Sequence, residues 1–272
     1  MAVILLKLHQ EGTRMQPQIV ISLTTFPKRI NTVHLVIKSL LAMRPRPDKI
    51  VLYLSEPEFP DKKLPPILTD MQNDIFEIRF TKRNYKSFNK LVHALRDFPE
   101  STIITVDDDI IYPSYMTKRL LATHKKHPTD ICANRIRELN ISDGRVQPYA
   151  TWRLSERRKL FGHHPHPGYT NVQMGVGGVL YPAHSLHPDV LDTKKFTKLC
   201  EHQDDIWFWA MTVLNNRKII PTYFGCKLSG IESAKEYGLY RNINSATTSP
   251  NNIAIENVIS EYPEIKNKIN LK

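Results

Sequence analysis

Between residues 19 and 106 short apolar runs of β type alternate with amphipathic helical stretches, and this alternation constrains the fold more than any other feature of the chain. Ile19–Thr25 (IVISLTT) is a buried strand ended by Phe26-Pro27. Asn31 is placed to cap a helix over Thr32–Met43, where Val33, Ile37, Leu40 and Leu41 share a face and Pro45 and Pro47 stop the run. Lys49–Ser55 (KIVLYLS) is a second strand, Leu64–Gln72 a short helix, and Ile75–Thr81 (IFEIRFT) a third strand. Ser87–Phe98 repeats apolar residues at Phe88, Leu91, Val92 and Leu95, which is helical spacing, and Ser101–Val106 (STIITV) is the fourth strand. Strands separated by single helices imply right-handed crossovers and a largely parallel sheet, that is, an α/β fold.

Beyond Tyr112-Pro113 a helix over Ser114–His127 is followed by less regular patterning. Ile131–Leu139 and Val146–Leu154 read as strands of a smaller mixed sheet, and Gly175–Pro182 as a turn feeding an apolar strand. Thr197–Leu214 is mainly helical, Lys218–Phe224 a strand, and Ile253–Ile269 a terminal helix. The chain therefore divides into an extension over 1–17, a first half over 18–112, a second half of the same domain over 113–225, and a tail with a helix over 226–272.

Of the 272 residues 41% are apolar and 24% charged, which excludes a disordered or fibrous chain. The net charge of +11 calls for an anionic partner, and composition alone does not choose between nucleic acid, anionic membrane and a phosphorylated ligand. Cys132, Cys200 and Cys226 form no CxxC pair, so the expectation is scattered thiols in a reducing cytoplasm. The apolar start Met1–Leu6 stops at Lys7, too short for a secretory h-region or a membrane span.

Chemistry concentrates in two acidic motifs. Asp107-Asp108-Asp109 follows directly on the fourth strand, and ligands of open α/β sheets bind outside the carboxyl ends of strands. Three adjacent carboxylates repel unless a cation or protons neutralise them. Asp107 and Asp109, two residues apart, suit a shared Mg²⁺ or Mn²⁺ completed by water and phosphate; the alternative is a polar turn in which Asp109 caps the next element. The second motif, Asp204-Asp205, precedes Ile206-Trp207-Phe208-Trp209. It suits a general base whose pKa is raised by its neighbour and an apolar wall, or equally a helix cap.

With the Val20–Thr25 strand, the Lys82-Arg83-Asn84-Tyr85 and Asn89-Lys90-Leu91 segments and the Gly175–Pro182 stretch, these motifs give residues 18–225 an order and spacing that resembles the family 2 glycosyltransferases with the A-type nucleotide-sugar-binding fold. The resemblance implies a single domain with a Rossmann-like, mostly parallel sheet. It implies donor-nucleotide contacts at Thr24, Thr25, Arg29, Ser55, Glu56, Asn84, Lys90, Asp107 and Asp108, and a metal held by Asp109 with Asp107. It places the base at Asp205, with Asp204 as the alternative because Asp stands where the family carries Glu. Acceptor contacts fall to Gly177, Gly178 and Trp207.

The implied activity is a metal-dependent, inverting transfer of a sugar from a nucleotide-sugar, a UDP-sugar foremost, to a hydroxyl of a glycan or lipid-linked acceptor in surface polysaccharide synthesis. Such an enzyme works in the cytoplasm, with peripheral contact to an anionic membrane within reach of its charge. A sugar nucleotidyltransferase is the rival enzyme, but Thr24-Thr25-Phe26-Pro27 lacks the Gly-rich phosphate loop it calls for. A nucleic-acid-binding module suits the charge, yet the Lys and Arg residues are dispersed and carry no recognised motif. His163, His164 and His166 lie in a Pro-rich loop that reads as a segment able to close over a donor rather than as a metal site, and Arg153, Arg157, Arg158 and Lys159 as a basic cluster for diphosphate or as a solvated face.

Overall fold

The computed structural model describes residues 17–154, 166–223, 226–233 and 249–271. The His163–His166 loop, apart from His166, and Arg157, Arg158 and Lys159 lie outside the described residues, as does the N-terminal stretch through residue 16.

The first half builds β1 (Ile19–Thr24), α1 (Val33–Leu41), β2 (Lys49–Ser55), α2 (Pro66–Thr69), β3 (Phe76–Thr81), α3 (Asn89–Asp97) and β4 (Thr102–Thr105). Every strand in this set pairs in parallel, with Ile21 opposite both Ile50 and Ile104. Successive residues of a strand face opposite sides of a sheet, and the burial follows suit. Val20, Val51, Tyr53 and Ile103 enter one apolar core with α3, while Ile21, Leu23, Ile50, Leu52, Leu54 and Ile104 enter the other with α1. Both faces are covered, which is why these strands are continuously apolar instead of alternating.

The second half adds β5 (Ile110–Ile111), α4 (Met116–His124), β6 (Ile131–Ala133), β7 (Ile136–Glu138), β8 (Ile141–Ser142), β9 (Arg145–Val146), β10 (Arg153–Leu154), β11 (Asn171–Gln173) and β12 (Val179–Tyr181). Next come α5 (Thr193–Cys200), α6 (Asp204–Leu214), β13 (Ile219–Pro221), β14 (Ser229–Gly230), α7 (Pro250–Glu261) and α8 (Glu264–Lys268). The central sheet has seven strands in the order β13-β6-β12-β4-β1-β2-β3, and only β12 runs against the rest. The expected α/β domain with a mostly parallel sheet flanked by helices is therefore found.

Several expected boundaries move for local reasons. The single strand foreseen over 131–139 is two: β6 joins the central sheet, and β7 joins an antiparallel three-stranded sheet between β10 and β11. The smaller sheet is thus antiparallel, not mixed. Asp143-Gly144 closes the β8–β9 hairpin with both residues at positive φ, 51° and 68°, the geometry of a tight two-residue turn. The helical stretch before residue 214 splits at Glu201, whose φ of 34° interrupts the helix, and the terminal helix splits before Glu264 at Pro263. Asn31 does not cap α1; its N-cap position is Thr32, which makes no side-chain capping bond. No helix among the described residues is long and apolar enough to cross a membrane.

Helix α6 is packed on all sides, with Ile206 through Val213 all buried, and α7 and α8 close over it. This clamp fixes the first turn of α6 against the carboxyl end of β4.

Candidate active site

Strands β1, β2 and β4 end at one edge, and that edge gathers the acidic residues of two distant segments. Val106 continues the β1 pairing through its amide to the Ser22 carbonyl, after which the chain turns and presents Asp107, Asp108 and Asp109. The first turn of α6 brings Asp204 and Asp205 to the same place. Five carboxylates there face two buried cations, Arg29 and Lys90.

The first cation makes a closed knot. Asp108 accepts hydrogen bonds from Thr25 Oγ1 on one oxygen and from Arg29 Nη1 on the other, and only 6% of the residue is exposed. Arg29 Nη2 reaches Asp109 Oδ2 at 3.0 Å. Burial raises the Asp108 pKa, opposed by the Arg29 charge and the two bonds. Asp108 and Thr25 are thus spent on one another and on Arg29. A donor contact by Asp108 would have to be made by oxygens that Thr25 and Arg29 already engage.

The second cation makes a more open cluster. Lys90 extends from α3, whose backbone is tied to β1 by the Ser22 hydroxyl donating to the Lys90 carbonyl. Its Nζ lies 2.8 Å from Asp107 Oδ1 and 3.1 Å from Asp204 Oδ2. Burial opposes the ammonium charge, yet Asp107, Asp204 and Asp205 together hold the Lys90 pKa well above the ordinary value. Asp204 Oδ2 is buried and makes no aligned hydrogen bond despite its ion pair, so it remains an under-used acceptor aimed at the cluster. Asp204 does not cap α6; Gln203 holds the N-cap position.

Asp205 is held at both ends: its Oδ1 accepts from the Gly175 amide at 3.0 Å, and its backbone carbonyl accepts from Gln173 Nε2 at 3.0 Å. Burial first, and then the Asp204 charge, raise its pKa well above the ordinary carboxylate range. Gly175 is the floor on which these groups meet. A Cβ there would lie 2.7 Å from Lys90 Nζ, 3.3 Å from Asp107 Oδ1 and 3.4 Å from Asp205 Oδ1. Of the three, the Lys90 contact is too short to keep, so a side chain here displaces the ammonium.

Tyr112 ties the first acidic segment to the Gly175 turn. Its hydroxyl accepts from the Asp107 amide at 2.9 Å and donates to the Val176 carbonyl at 3.1 Å. The sequence reading used Tyr112 only as a break, and the signal that identifies it is its tertiary position under the Gly175 turn.

The remaining expected residues scatter around this centre. Thr24 donates its hydroxyl to the Tyr53 carbonyl at 2.8 Å, and Ser55 donates to Glu58 at 2.9 Å. Glu56 pairs with Lys62 at 2.8 Å. Asn84 Oδ1 accepts from the Lys86 amide and from Asn89 Nδ2. Thr24, Ser55 and Glu56 rim the ends of β1 and β2, and Asn84 follows β3. Gly177 backs onto Arg135, where a Cβ would fall 2.6 Å from the Arg135 Cβ, and Gly178 adopts a φ of 82°, so both serve the turn itself. Trp207 is corrected from acceptor contact to core. It is fully buried, donates its indole N–H to the Val190 carbonyl at 3.3 Å and packs against Phe196 and Tyr262. Trp209 is equally buried and donates to the Tyr169 carbonyl.

A hard divalent cation fits Asp107 and Asp109. Each keeps one carboxylate oxygen outside its ion pair, and the two side chains are 27% and 23% exposed at the strand end. Burial and the Asp107 charge push the Asp109 pKa up to about 6, the signature of excess negative charge that a cation relieves. Among the described residues no group of three His, Cys, Asp or Glu side chains converges to hold a metal.

No protein-family profile and no curated protein sequence matches the chain. Among solved structures, residues 1–349 of TarS from S. aureus align over 90% of this chain and 72% of theirs, with 14% identity and a TM-score of 0.49. The same TarS fragment crystallised with UDP-GlcNAc aligns over 92% and 72% at 13% identity and a TM-score of 0.45. A 4-diphosphocytidyl-2C-methyl-D-erythritol synthase from Anaerococcus prevotii aligns over 83% and 98% at 12% identity and a TM-score of 0.48.

Proposed function

We propose that the chain is a nucleotide-sugar-dependent glycosyltransferase whose reacting centre is the cluster of Lys90, Asp107, Asp204 and Asp205. The observation that carries this reading is the convergence of Lys90, Asp107 and Asp205 on the space above Gly175, at the carboxyl edge of a parallel sheet. An acidic centre with two embedded cations suits a ligand that brings both phosphate and a cation.

Asp109 and Asp107 would hold a divalent ion, whose charge would neutralise diphosphate. Arg29 and Lys90 supply fixed positive charge beside the same phosphates. Lys90 also balances Asp204, so that the carboxylates can lie close together before any donor arrives.

Asp205 is the base. Its raised pKa makes it a better proton acceptor than an ordinary carboxylate, and the Gly175 amide fixes which oxygen is left for the acceptor hydroxyl. Removing that proton as the hydroxyl attacks the anomeric carbon from the face opposite the leaving nucleoside diphosphate inverts the configuration. The acceptor is a glycan or a lipid-linked saccharide, and UDP-sugars are the first donors to try.

The test is a hydrolysis and thermal-shift screen of UDP-, GDP-, CMP- and dTDP-sugars with and without Mn²⁺. The reading expects stabilisation by one nucleotide class and slow release of its nucleoside diphosphate (monophosphate for a CMP-sugar). Release of pyrophosphate from a nucleoside triphosphate and a sugar phosphate identifies a nucleotidyltransferase instead, and no response to any nucleotide rejects both.

A further inference from the structure

Further along α3 from the acidic centre, a cleft of about 380 Å³ opens between the segment after β3, α3 and the turn before α5. Lys82, Arg83 and Arg96 line it, and no carboxylate does. Among the described residues Lys82 and Arg83 make no ion pair, and Arg96 makes one long bond, 3.5 Å, to the Leu191 carbonyl. The nearby carboxylates are already engaged: Asp97 with Arg79 and the Tyr53 hydroxyl, and Glu58 with Lys86 and Ser55. Three exposed cations therefore share a concave surface with no carboxylate paired to them among the described residues, a focus of positive potential that attracts an anion.

The cleft also has a flat wall. Tyr85 and His93 stack with ring centroids 5.8 Å apart, and Tyr85 is braced edge-on by Phe196 at 5.3 Å. His93 and Arg96 follow Lys90 on α3 by three and six residues, about 4.5 and 9 Å along the axis. The cleft is thus one to two helical turns from the acidic centre and shares none of its aspartates.

We infer that this cleft is a phosphate-binding subsite, taking a phosphomonoester or phosphodiester group whose organic part lies against Tyr85 and His93. Guanidinium groups, of which Arg83 and Arg96 bring two to the cleft, suit phosphate oxygens by their donor geometry as well as charge. The subsite is independent of the glycosyltransferase reading and stands or falls by itself. A soluble phosphoester chain and a phospholipid headgroup present the same chemistry.

The test titrates the full chain with inorganic phosphate and with dimethyl phosphate while following the His93 imidazole resonances. Saturable shifts are expected, and the exposed double substitution Arg83→Gln/Arg96→Gln is expected to weaken binding by about tenfold or more. A parallel arm sediments the chain with phosphatidylcholine vesicles with and without phosphatidylglycerol. Sedimentation only with phosphatidylglycerol, lost in the double variant, assigns the subsite to a lipid headgroup. Dimethyl phosphate binding without sedimentation assigns it to a soluble phosphoester. An unmoved His93, an affinity unchanged in the double variant, or displacement of phosphate by UDP overturns the subsite. Nucleotide-dependent stabilisation of the double variant reports separately on the acidic centre.

Discussion

Two ion clusters sit side by side at the end of β4 and differ in one respect. In the knot of Thr25, Arg29 and Asp108 both carboxylate oxygens are bonded within the protein and the carboxylate is buried. In the cluster of Lys90, Asp107, Asp204 and Asp205 one carboxylate oxygen, Asp204 Oδ2, lacks an aligned donor. A satisfied buried network stabilises a fold, whereas a half-satisfied one is tolerated where a ligand completes it. Sequence neighbours can therefore do different work, Asp108 as an anchor and, in the proposed function, Asp107 and Asp109 as ligands.

The sharpest way to break that contrast is substitution within each cluster. Asp205→Asn is expected to lower turnover by about 10²–10⁴-fold, as loss of a general base does, with the urea midpoint unchanged or raised because a buried charge is removed. Asp108→Ala is expected to do the reverse in kind. It leaves Arg29 buried beside an incomplete partner and costs about 3–5 kcal/mol of stability, read from equilibrium denaturation. If Asp108→Ala left stability intact while abolishing nucleotide binding, the two roles would have to be exchanged.

Smaller effects sharpen the picture. Gly175→Ala forces Lys90 off its position between Asp107 and Asp204, a crowding cost of about 1–3 kcal/mol that should surface in turnover and in Mn²⁺ dependence. Tyr112→Phe removes the hydroxyl that joins the Asp107 amide to the Val176 carbonyl, and about 1–3 kcal/mol of stability is expected to go with it. The smallest effect is one of pH, through His93. Burial first, and then the Arg96 charge, lower its pKa from 6.5 to about 4. The unfolded chain takes up that proton near 6.5 and the folded chain only near 4, so stability falls as pH drops through that window. In His93→Gln the denaturation midpoint should depend less steeply on pH between 6.5 and 4.

Much of the fold was legible because the first half is locally consistent. Lys49–Ser55 was foreseen to the residue, since a doubly covered parallel strand is apolar throughout and Pro and Glu bound it. The second half was less legible because its strands are two or three residues long, too short for a period to register. The aromatic run of α6 misled for a physical reason: a helix buried on every side has no stripe, and a Trp beside Asp205 looks the same in sequence whether it meets a sugar or Phe196. The two acidic motifs were visible as motifs. Their joining through Lys90 was not, since Asp204 lies 114 residues further along and meets it only when α6 packs beside β4.

The central claim is that the half-open cluster receives a nucleoside diphosphate together with a divalent cation. Calorimetric titration of the full chain with UDP and GDP, with and without Mn²⁺, tests it most directly, with Asp109→Ala run in parallel. The account predicts Mn²⁺-dependent binding of at least one of them by the wild-type chain and loss of that dependence in Asp109→Ala. Absence of binding to either, or Mn²⁺ dependence that survives in Asp109→Ala, would contradict it.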